Sequence, residues 1–220
     1  IFKKIIKLLV KIQSINQRKI KNFKKKNYKV PIYQSKILLD EAKLFSKWYI
    51  DKELTETQKK IFKKKFIKVV KKLIKKLNLK NNTFVHRDFH ISNLMKVENI
   101  IGVIDTQDAL IGNKAYDVAS LIDDVRFKTS TNFKKRLLDY YLKSQKNLNK
   151  QYFINDFEII SVLRNLKIIG IFTRLSVRDK KKKYLKLIPY AWDLIKLRSK
   201  NNDKFKDLND LLYKFTKKIK

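Results

Sequence analysis

The 220-residue chain combines enough apolar residues for a folded core with a formal net charge of +35. Its hydrophobic content of 44%, with 12% aromatic residues, argues against disorder, and its length suits one large domain. The lack of cysteine excludes disulfides, thiol nucleophiles and thiolate metal sites, and no apolar run reaches the ~18 residues of a membrane span. These features are compatible with a cytoplasmic protein that does not bind membranes.

The positive charge is carried mainly by lysine, since only eight of the 55 basic residues are arginine. Proteins that recognise phosphates and bases rely on arginine forks. Here lysines fill the polar faces of almost every predicted helix and form no single stripe. We therefore interpret the charge as solvated helix faces, expect weak salt-sensitive binding to polyanions, and predict no specific nucleic-acid partner. A non-catalytic basic module that binds polyanions stays open as an alternative.

Helical periodicity dominates the first eighty residues. The first predicted helix has an apolar face made of Ile1, Ile5, Leu8, Leu9 and Ile12. Residues 35–50 predict a second helix, and Thr55 or Thr57 is expected to cap a third. The predicted buried stripe of this third helix comprises Ile61, Phe62, Phe66, Val69, Val70, Leu73 and Leu77.

Three short β-branched segments then interrupt the helices. They cover residues 83–86, 94–97 and 100–105, with Asn99 in the turn between the last two. The periodicity is helical again over residues 115–127, 132–146, 152–177, 180–199 and 204–219. The sequence therefore predicts an α+β fold that is mainly α-helical and contains a small β-hairpin.

The segment FVHRDFHISNLM (residues 84–95) lies in this β region and contains His-Arg-Asp, four further residues, and Asn. Phosphoryl transfer needs a carboxylate for the proton of the attacking hydroxyl, and oxygen ligands that hold Mg²⁺ against the phosphates. Asp88 supplies the carboxylate and Asn93 an amide oxygen. Asp105 ends the apolar strand IIGVID, where its side chain is expected to reach the same cleft. We therefore predict that these three side chains share one site.

Each of these residue types also has a simpler explanation. Aspartate and asparagine are common in turns, so the prediction depends on their combination with an intervening hairpin. His86, at a strand end, is interpreted as a packed, hydrogen-bonded histidine that supports the site. His90 either contacts the substrate or braces the loop.

The same segments resemble the aminoglycoside phosphotransferase and choline kinase-like superfamily. FVHRDFHISNLM and the following GVIDTQDALIGNKAYDVASLIDD carry this resemblance. DEAKLFSKWYI upstream and IIGIFTRLSVRDKKKKYLKLIPYAWDLI downstream look most like bacterial anomeric sugar kinases, which phosphorylate N-acetylmuramate and N-acetylglucosamine in cell-wall recycling. The resemblance covers about residues 35–199.

The resemblance implies a protein-kinase-like fold and an ATP- and Mg²⁺-dependent kinase that acts on an alcohol group. By position, Asp88 would be the catalytic base, and Asn93 and Asp105 would hold magnesium. Asp117 would support the site by tying the next helix to the catalytic loop.

Three further positions are expected near the acceptor. Gln107 and Asp108, which follow Asp105, are expected to shape the side of the site that binds the sugar. Arg174 either contacts the substrate or has a structural role. An amino sugar is the expected acceptor, and an aminoglycoside, choline or a similar alcohol is the alternative. The positive charge is unfavourable for polycationic aminoglycosides and suits an anionic sugar acid better.

Kinases of this superfamily also have an N-terminal lobe of β-strands with a glycine-rich phosphate-covering loop. Here the three glycines are Gly102, Gly112 and Gly170, all at or beyond the catalytic motif, and the first residue is Ile. We therefore expect residues 1–220 to form a kinase-like C-terminal lobe without its nucleotide-binding lobe, and to bind nucleotide poorly alone. The sequence does not predict an oligomeric state.

Overall fold

The computed structural model describes residues 1–16, 18–21 and 24–219. They form two compact units: unit 1 comprises residues 1–34 and 78–157, and unit 2 comprises residues 35–77 and the chain from residue 158 onward. The helices are α1 (Phe2–Gln13), α2 (Ser35–Leu44), α3 (Asp51–Glu53), α4 (Glu56–Lys75), α5 (Ala115–Ile122), α6 (Thr131–Lys143), α7 (Lys150–Val177), α8 (Ile188–Ser199) and α9 (Lys206–Thr216). The strands are β1 (Lys19–Lys21), β2 (Asn27–Lys29), β3 (Thr83–Val85), β4 (Leu94–Val97), β5 (Ile100–Val103) and β6 (Leu110–Gly112).

Helices dominate both units, and the strands pair as three short antiparallel ladders, β1 with β2, β3 with β6, and β4 with β5. The predicted α+β class, mainly helical with a small hairpin, is therefore confirmed. No helix in the described part of the chain is long and apolar enough to span a membrane.

Unit 1 holds the β region that the sequence predicts. β3 pairs with β6 in the register Thr83↔Gly112, and the segment around Tyr33 adds to the other edge of β6. There Tyr33 N–H donates to the carbonyl of Ile111 at 2.7 Å. β6 was not predicted, because three buried residues carry no periodicity and their partner strand lies more than twenty residues away.

The β4–β5 hairpin agrees closely with its prediction. β4 covers Leu94–Val97 as expected, and the ladder runs from Leu94↔Val103 to Val97↔Ile100 around the predicted turn. Alternation along each strand sends successive side chains to opposite faces. The hairpin therefore has one face with Leu94 and Val103, and another with Met95, Val97 and Ile100.

Unit 2 is organised around α4 and α7. Thr55 caps α4, and its N–H donates to Gln58 Oε1 at 3.2 Å, as expected of a capping box. The buried face of α4 consists of Phe62, Phe66, Val70, Leu73 and Ile74. Ile61 was predicted in this face but is 45% exposed. It lies about 100° around the helix from Phe62, at the edge of the buried face.

The end of α2 approaches α7 at Gly170. A Cβ atom at this position would lie 2.3 Å from the backbone carbon of Leu44, so only glycine permits the approach. Here α2 continues as a π-helical turn over Phe45–Ile50. The Phe45 ring packs in the core, with its centroid 5.7 Å from those of Phe66 and Trp192.

Downstream helix boundaries differ from the predictions by a few residues. The predicted helix over residues 180–199 is a 3₁₀ turn, Lys182–Leu187, followed by α8. Pro189 lies at the start of α8, where its missing N–H is tolerated, and it separates the two segments.

Candidate active site

The loop after β3 is anchored by a carboxylate from α5. Backbone N–H groups of His86 and Arg87 donate to Asp117 Oδ2 and Oδ1 at 2.7 and 3.0 Å. Asp117 lies in the first turn of α5 and is fully buried. A buried carboxylate is tolerated only when such donors satisfy it. The two hydrogen bonds therefore hold the start of the loop against α5.

The backbone of this loop is strained at Arg87, whose φ is 74°. A bulky residue in the left-handed region costs on the order of 1–3 kcal/mol and persists only where its surroundings fix it. The backbone N–H groups of Arg87 and of His86 before it both donate to Asp117, so these hydrogen bonds hold the strained conformation. Asp88, the predicted catalytic base, follows directly.

Hydrogen bonds within the loop fix Asn93. The Asp88 carbonyl accepts from His90 N–H at 2.9 Å and from Asn93 Nδ2 at 3.0 Å. Asn93 N–H in turn donates to the carbonyl of His90 at 2.9 Å. Because the amide nitrogen of Asn93 is used inside the loop, its oxygen Oδ1 is the group left to bind a cation.

A second buried carboxylate, Asp124, holds the turn that carries Asn93. Its Oδ2 accepts from Ile91 N–H at 3.2 Å, and its Oδ1 accepts from Arg126 N–H at 3.0 Å. Ile91 begins the 3₁₀ turn Ile91–Asn93. Asp124 was not predicted as a residue that supports the site. The pair Asp123 and Asp124 ends the segment AYDVASLIDD, but such an acidic pair is also common at an ordinary helix terminus.

The β4–β5 hairpin brings Asp105 next to Asn93. Ile104 N–H donates to the carbonyl of Asn93 at 3.1 Å, which extends the ladder by one bond. Asn93 Nδ2 then lies 3.5 Å from Asp105 Oδ2. Gln107 Nε2 donates to the other carboxylate oxygen of Asp105. Asp105 is exposed and has a φ of 68°, so a second non-glycine residue of the site lies in the left-handed region.

His86 connects the loop to the hairpin. Its Nε2 lies 3.0 Å from the carbonyl oxygen of Ile104, and its side chain is 1% exposed. Burial lowers the pKa of this imidazole, while its hydrogen bond to the Ile104 carbonyl and the carboxylates of Asp88 and Asp105 act in the opposite direction. The neutral ring therefore carries its proton on Nε2 and donates it to the carbonyl.

The remaining predicted residues are placed as follows. His90 is buried in the loop, whereas Gln107 and Asp108 are exposed in the segment after Asp105. Arg174 lies on α7 in unit 2, whereas the other predicted site residues all lie in unit 1.

The start of β3 and the end of β6 are held by Asp156, which the sequence analysis also missed. Its carboxylate accepts from the N–H groups of Asn78 and Leu79 at 2.8 and 2.9 Å, and from Asn113 Nδ2 at 2.6 Å. Asp156 is fully buried in α7. It thus holds the end of the β-ladder where Thr83 pairs with Gly112, and the loop that carries Asp88 leaves from the opposite end, after Val85.

The oxygen atoms around Asn93 and Asp105 suit a hard cation. The described residues contain no group of three or more His, Cys, Asp or Glu side chains that suits a metal ion. Mg²⁺, however, is often bound by one or two carboxylate or carbonyl groups, with phosphates and water as its other ligands. Asn93 Oδ1 and the exposed Asp105 carboxylate fit this kind of site.

An exposed apolar surface lies beside this pair. Met95, Val97 and Ile100 share one face of the hairpin and are 50%, 65% and 71% exposed. Ile104, just before Asp105, is 50% exposed. An apolar surface therefore lies next to the side-chain oxygen atoms of Asn93 and Asp105. Binding of a small molecule with a flat apolar part and an anionic part requires such an arrangement.

A family model and curated proteins both match this chain, and the two comparisons agree on phosphotransferases. The model of the phosphotransferase enzyme family (APH) matches residues 1–150. N-acetylmuramate/N-acetylglucosamine kinases of Neisseria meningitidis and Pseudomonas putida are 34% and 32% identical to this chain. These matches cover 73% of this chain and 50% and 49% of the two relatives. The chain therefore spans about half the length of these curated relatives.

The fold is also similar to that of a solved phosphotransferase. The crystal structure of spectinomycin phosphotransferase in complex with ADP and spectinomycin matches with a TM-score of 0.51 and 16% identity. The match covers 90% of this chain and 64% of that protein. It confirms the predicted kinase-like fold, and the family model confirms the predicted superfamily. The chain belongs to the phosphotransferase enzyme family.

Proposed function

We propose that this chain is part of a cytoplasmic, ATP- and Mg²⁺-dependent kinase that phosphorylates the anomeric hydroxyl of N-acetylmuramate or N-acetylglucosamine in cell-wall recycling. The observation that carries the proposal is the pairing of Asn93 and Asp105 at the loop that holds Asp88. The curated relatives with this activity in their names, at 34% and 32% identity, support the choice of acceptor.

The proposed chemistry divides among three side chains. Asp88 orients the acceptor hydroxyl and takes its proton as the oxygen bonds to the terminal phosphorus of ATP. The bond from that phosphorus to the bridging oxygen breaks, and ADP leaves. Asn93 Oδ1 and the Asp105 carboxylate would hold Mg²⁺, which when bound offsets the negative charge of the phosphates. Asp117, Asp124 and His86 position these groups through the hydrogen bonds described above.

The exposed apolar face of the hairpin supports nucleotide as the donor. A purine ring needs a flat apolar surface, and Met95 and Ile104 offer one beside the residues proposed to hold Mg²⁺ and the phosphates. We further propose that residues 1–220 act as the kinase-like C-terminal lobe, with a nucleotide-binding lobe covering the phosphates. Gln107, Asp108 and His90 are proposed as residues near the acceptor.

The test is phosphate transfer by the protein expressed from the complete reading frame that contains this sequence. γ-Labelled ATP is offered with N-acetylmuramate, N-acetylglucosamine, choline or kanamycin, with and without Mg²⁺. We expect Mg²⁺-dependent transfer to one or both sugars, with the phosphate located on the anomeric oxygen by NMR. Transfer to choline or kanamycin alone contradicts the proposed acceptor, and no transfer to any of the four contradicts the proposed function.

A further inference from the structure

Helix α4 presents a row of five lysines on the side opposite its buried face. The row comprises Lys60, Lys64, Lys68, Lys71 and Lys75, all exposed. Spacings of three and four residues place them above one another on one helix face. The fifteen residue steps from Lys60 to Lys75 correspond to about 22 Å along the helix axis. This row is one of the lysine-filled polar faces that the sequence predicts for almost every helix.

Carboxylates offset little of the row's positive charge, since Glu56, the acidic residue whose pKa Lys59 lowers most and Lys60 helps to lower, is itself paired with Lys59. The lysines at the edges of α4 are paired: Lys59 with Glu56 at 2.6 Å, Lys63 with Asp51 at 2.7 Å, and Lys72 with Asp207 at 2.8 Å. Within the described chain, none of the five lysines of the row forms a salt bridge. Like charges at these spacings repel each other, so the row destabilises its own helix in the absence of an anionic partner.

Two grooves beside the row contain further lysines. The groove between α2 and α4, of about 520 Å³, is lined by Lys36 and Lys43 besides Lys71 and Lys75 of the row, and by one carboxylate, Asp40. The groove between α4 and α9, of about 320 Å³, is lined by Lys65, Lys72 and Lys214 besides Lys68 of the row, and by two carboxylates, Asp207 and Asp210. Lysines outnumber carboxylates in both linings, so positive charge continues from the row into each groove.

We propose that this lysine row is a binding surface for the phosphate backbone of nucleic acid, without sequence specificity. Phosphates follow one another at about 3.4 Å along each strand of a duplex, so about 22 Å faces roughly six of them. Lysine ammonium groups act as point charges on phosphates, whereas bidentate base recognition uses arginine or amide side chains. The row consists of lysines alone, and α4 contains no arginine, so we expect it to position a strand through its phosphates.

The burial of the apolar side of α4 argues against a membrane as the partner. Membrane-surface helices insert their apolar face among the lipid chains. In α4 this face is occupied by the core of unit 2, where Phe62, Phe66 and Val70 are fully buried. The helix therefore offers only its lysines, and an anionic polymer fits them better than a bilayer. The proposal is independent of the phosphotransfer site, which lies in unit 1.

The test compares two variants of the 220-residue chain with equal net charge. In one, the five lysines of the row are replaced by glutamine. In the control, five exposed lysines of unit 1 are replaced by glutamine: Lys4, Lys7, Lys11, Lys143 and Lys146. Binding of a fluorescein-labelled single-stranded 20-nucleotide RNA is followed by fluorescence anisotropy from 50 to 200 mM KCl. Thermal unfolding of all proteins is recorded alongside.

We expect the row variant to bind at least about tenfold more weakly than the control at 100 mM KCl. Its slope of log K against log salt should be smaller by about 3.5, since five single-strand contacts contribute about 0.7 each. Its melting temperature should be unchanged or higher, because repulsion along α4 is removed. If the row variant does not fold, the double variant Lys64→Gln/Lys71→Gln replaces it and should reduce the slope of log K against log salt by about 1.4.

Three results would overturn the proposal. Equal weakening in the row and control variants would show that the charge acts diffusely. Tighter binding to anionic phosphatidylserine vesicles than to RNA would identify a membrane surface instead. An unmodified chain that shows no RNA binding at 50 mM KCl would exclude the interaction.

Discussion

The imidazole Nε2 of His86 lies 3.0 Å from the carbonyl oxygen of Ile104, the residue before Asp105. This hydrogen bond joins the end of β3 to the end of the hairpin, across eighteen residues of chain. The backbone N–H of the same histidine donates to Asp117. His86 therefore links the helix that anchors the loop to the strand that delivers Asp105.

The buried His86 predicts a loss of stability in mild acid. Burial lowers its pKa in the folded state, so below the ordinary histidine value of about 6.5 the unfolded chain binds more protons than the folded chain. The stabilisation is therefore present above pH ~6.5 and is lost as the pH falls from there towards the folded pKa. Urea unfolding at pH 7.5, 6.5 and 5.5 measures the effect.

The matched variants for this prediction are His86→Gln and His90→Gln. Since the chain has two histidines, the pair separates their contributions. We expect the free energy of unfolding of His86→Gln to change less between pH 7.5 and 5.5 than that of the unmodified chain. An unchanged pH dependence in this variant would show that His86 does not titrate on unfolding.

Asp117→Ala should destabilise the fold. It removes the carboxylate acceptor of the buried His86 N–H and of the partly buried Arg87 N–H, and with it the contact that holds the strained Arg87. Loss of both hydrogen bonds costs on the order of 3 kcal/mol in the free energy of unfolding. Asp117→Asn keeps the shape and one acceptor oxygen, so its loss should be smaller. Urea denaturation of the 220-residue chain measures both, and Asp117→Ala with normal stability but no activity would contradict the structural role.

Local patterns predicted the hairpin and the helix starts because their determinants are close in sequence. The alternation in β4 and β5 and the Thr55 cap depend on neighbours a few residues away. The residues that were missed act over long separations: Ile91 and Asp124 are 33 residues apart, and Leu79 and Asp156 are 77 apart. Asp88, Asn93 and Asp105 were predicted to share one site from the His-Arg-Asp…Asn spacing and the hairpin that follows it. The structure brings Asn93 and Asp105 within 3.5 Å of each other, and the chemical roles of the three residues stay predictions.

Asp105→Asn should weaken binding of Mg²⁺-ATP as well as turnover. The substitution removes the negative charge that would offset the metal, while the amide keeps the size of the side chain. ATP binding to the complete protein, titrated by calorimetry at several Mg²⁺ concentrations, measures the effect. Asp139→Asn is the control, since it removes an exposed carboxylate on α6, outside the proposed site. Equal losses in both variants would show that overall charge, rather than metal binding, is responsible.

Asp88→Asn should separate chemistry from binding. The proposed role of this carboxylate is to take the proton of the acceptor hydroxyl, so its loss should lower kcat by about 10² to 10⁴-fold. Because ATP is proposed to bind through other groups, the Kd for ATP should change by less than about twofold. Single-turnover phosphate transfer and ATP titration of the complete protein measure the two quantities. Asp139→Asn, an exposed carboxylate on α6, serves as the control for charge and stability. A variant at Asp88 that kept its kcat but bound ATP much more weakly would place this residue with the nucleotide rather than with the attacking hydroxyl.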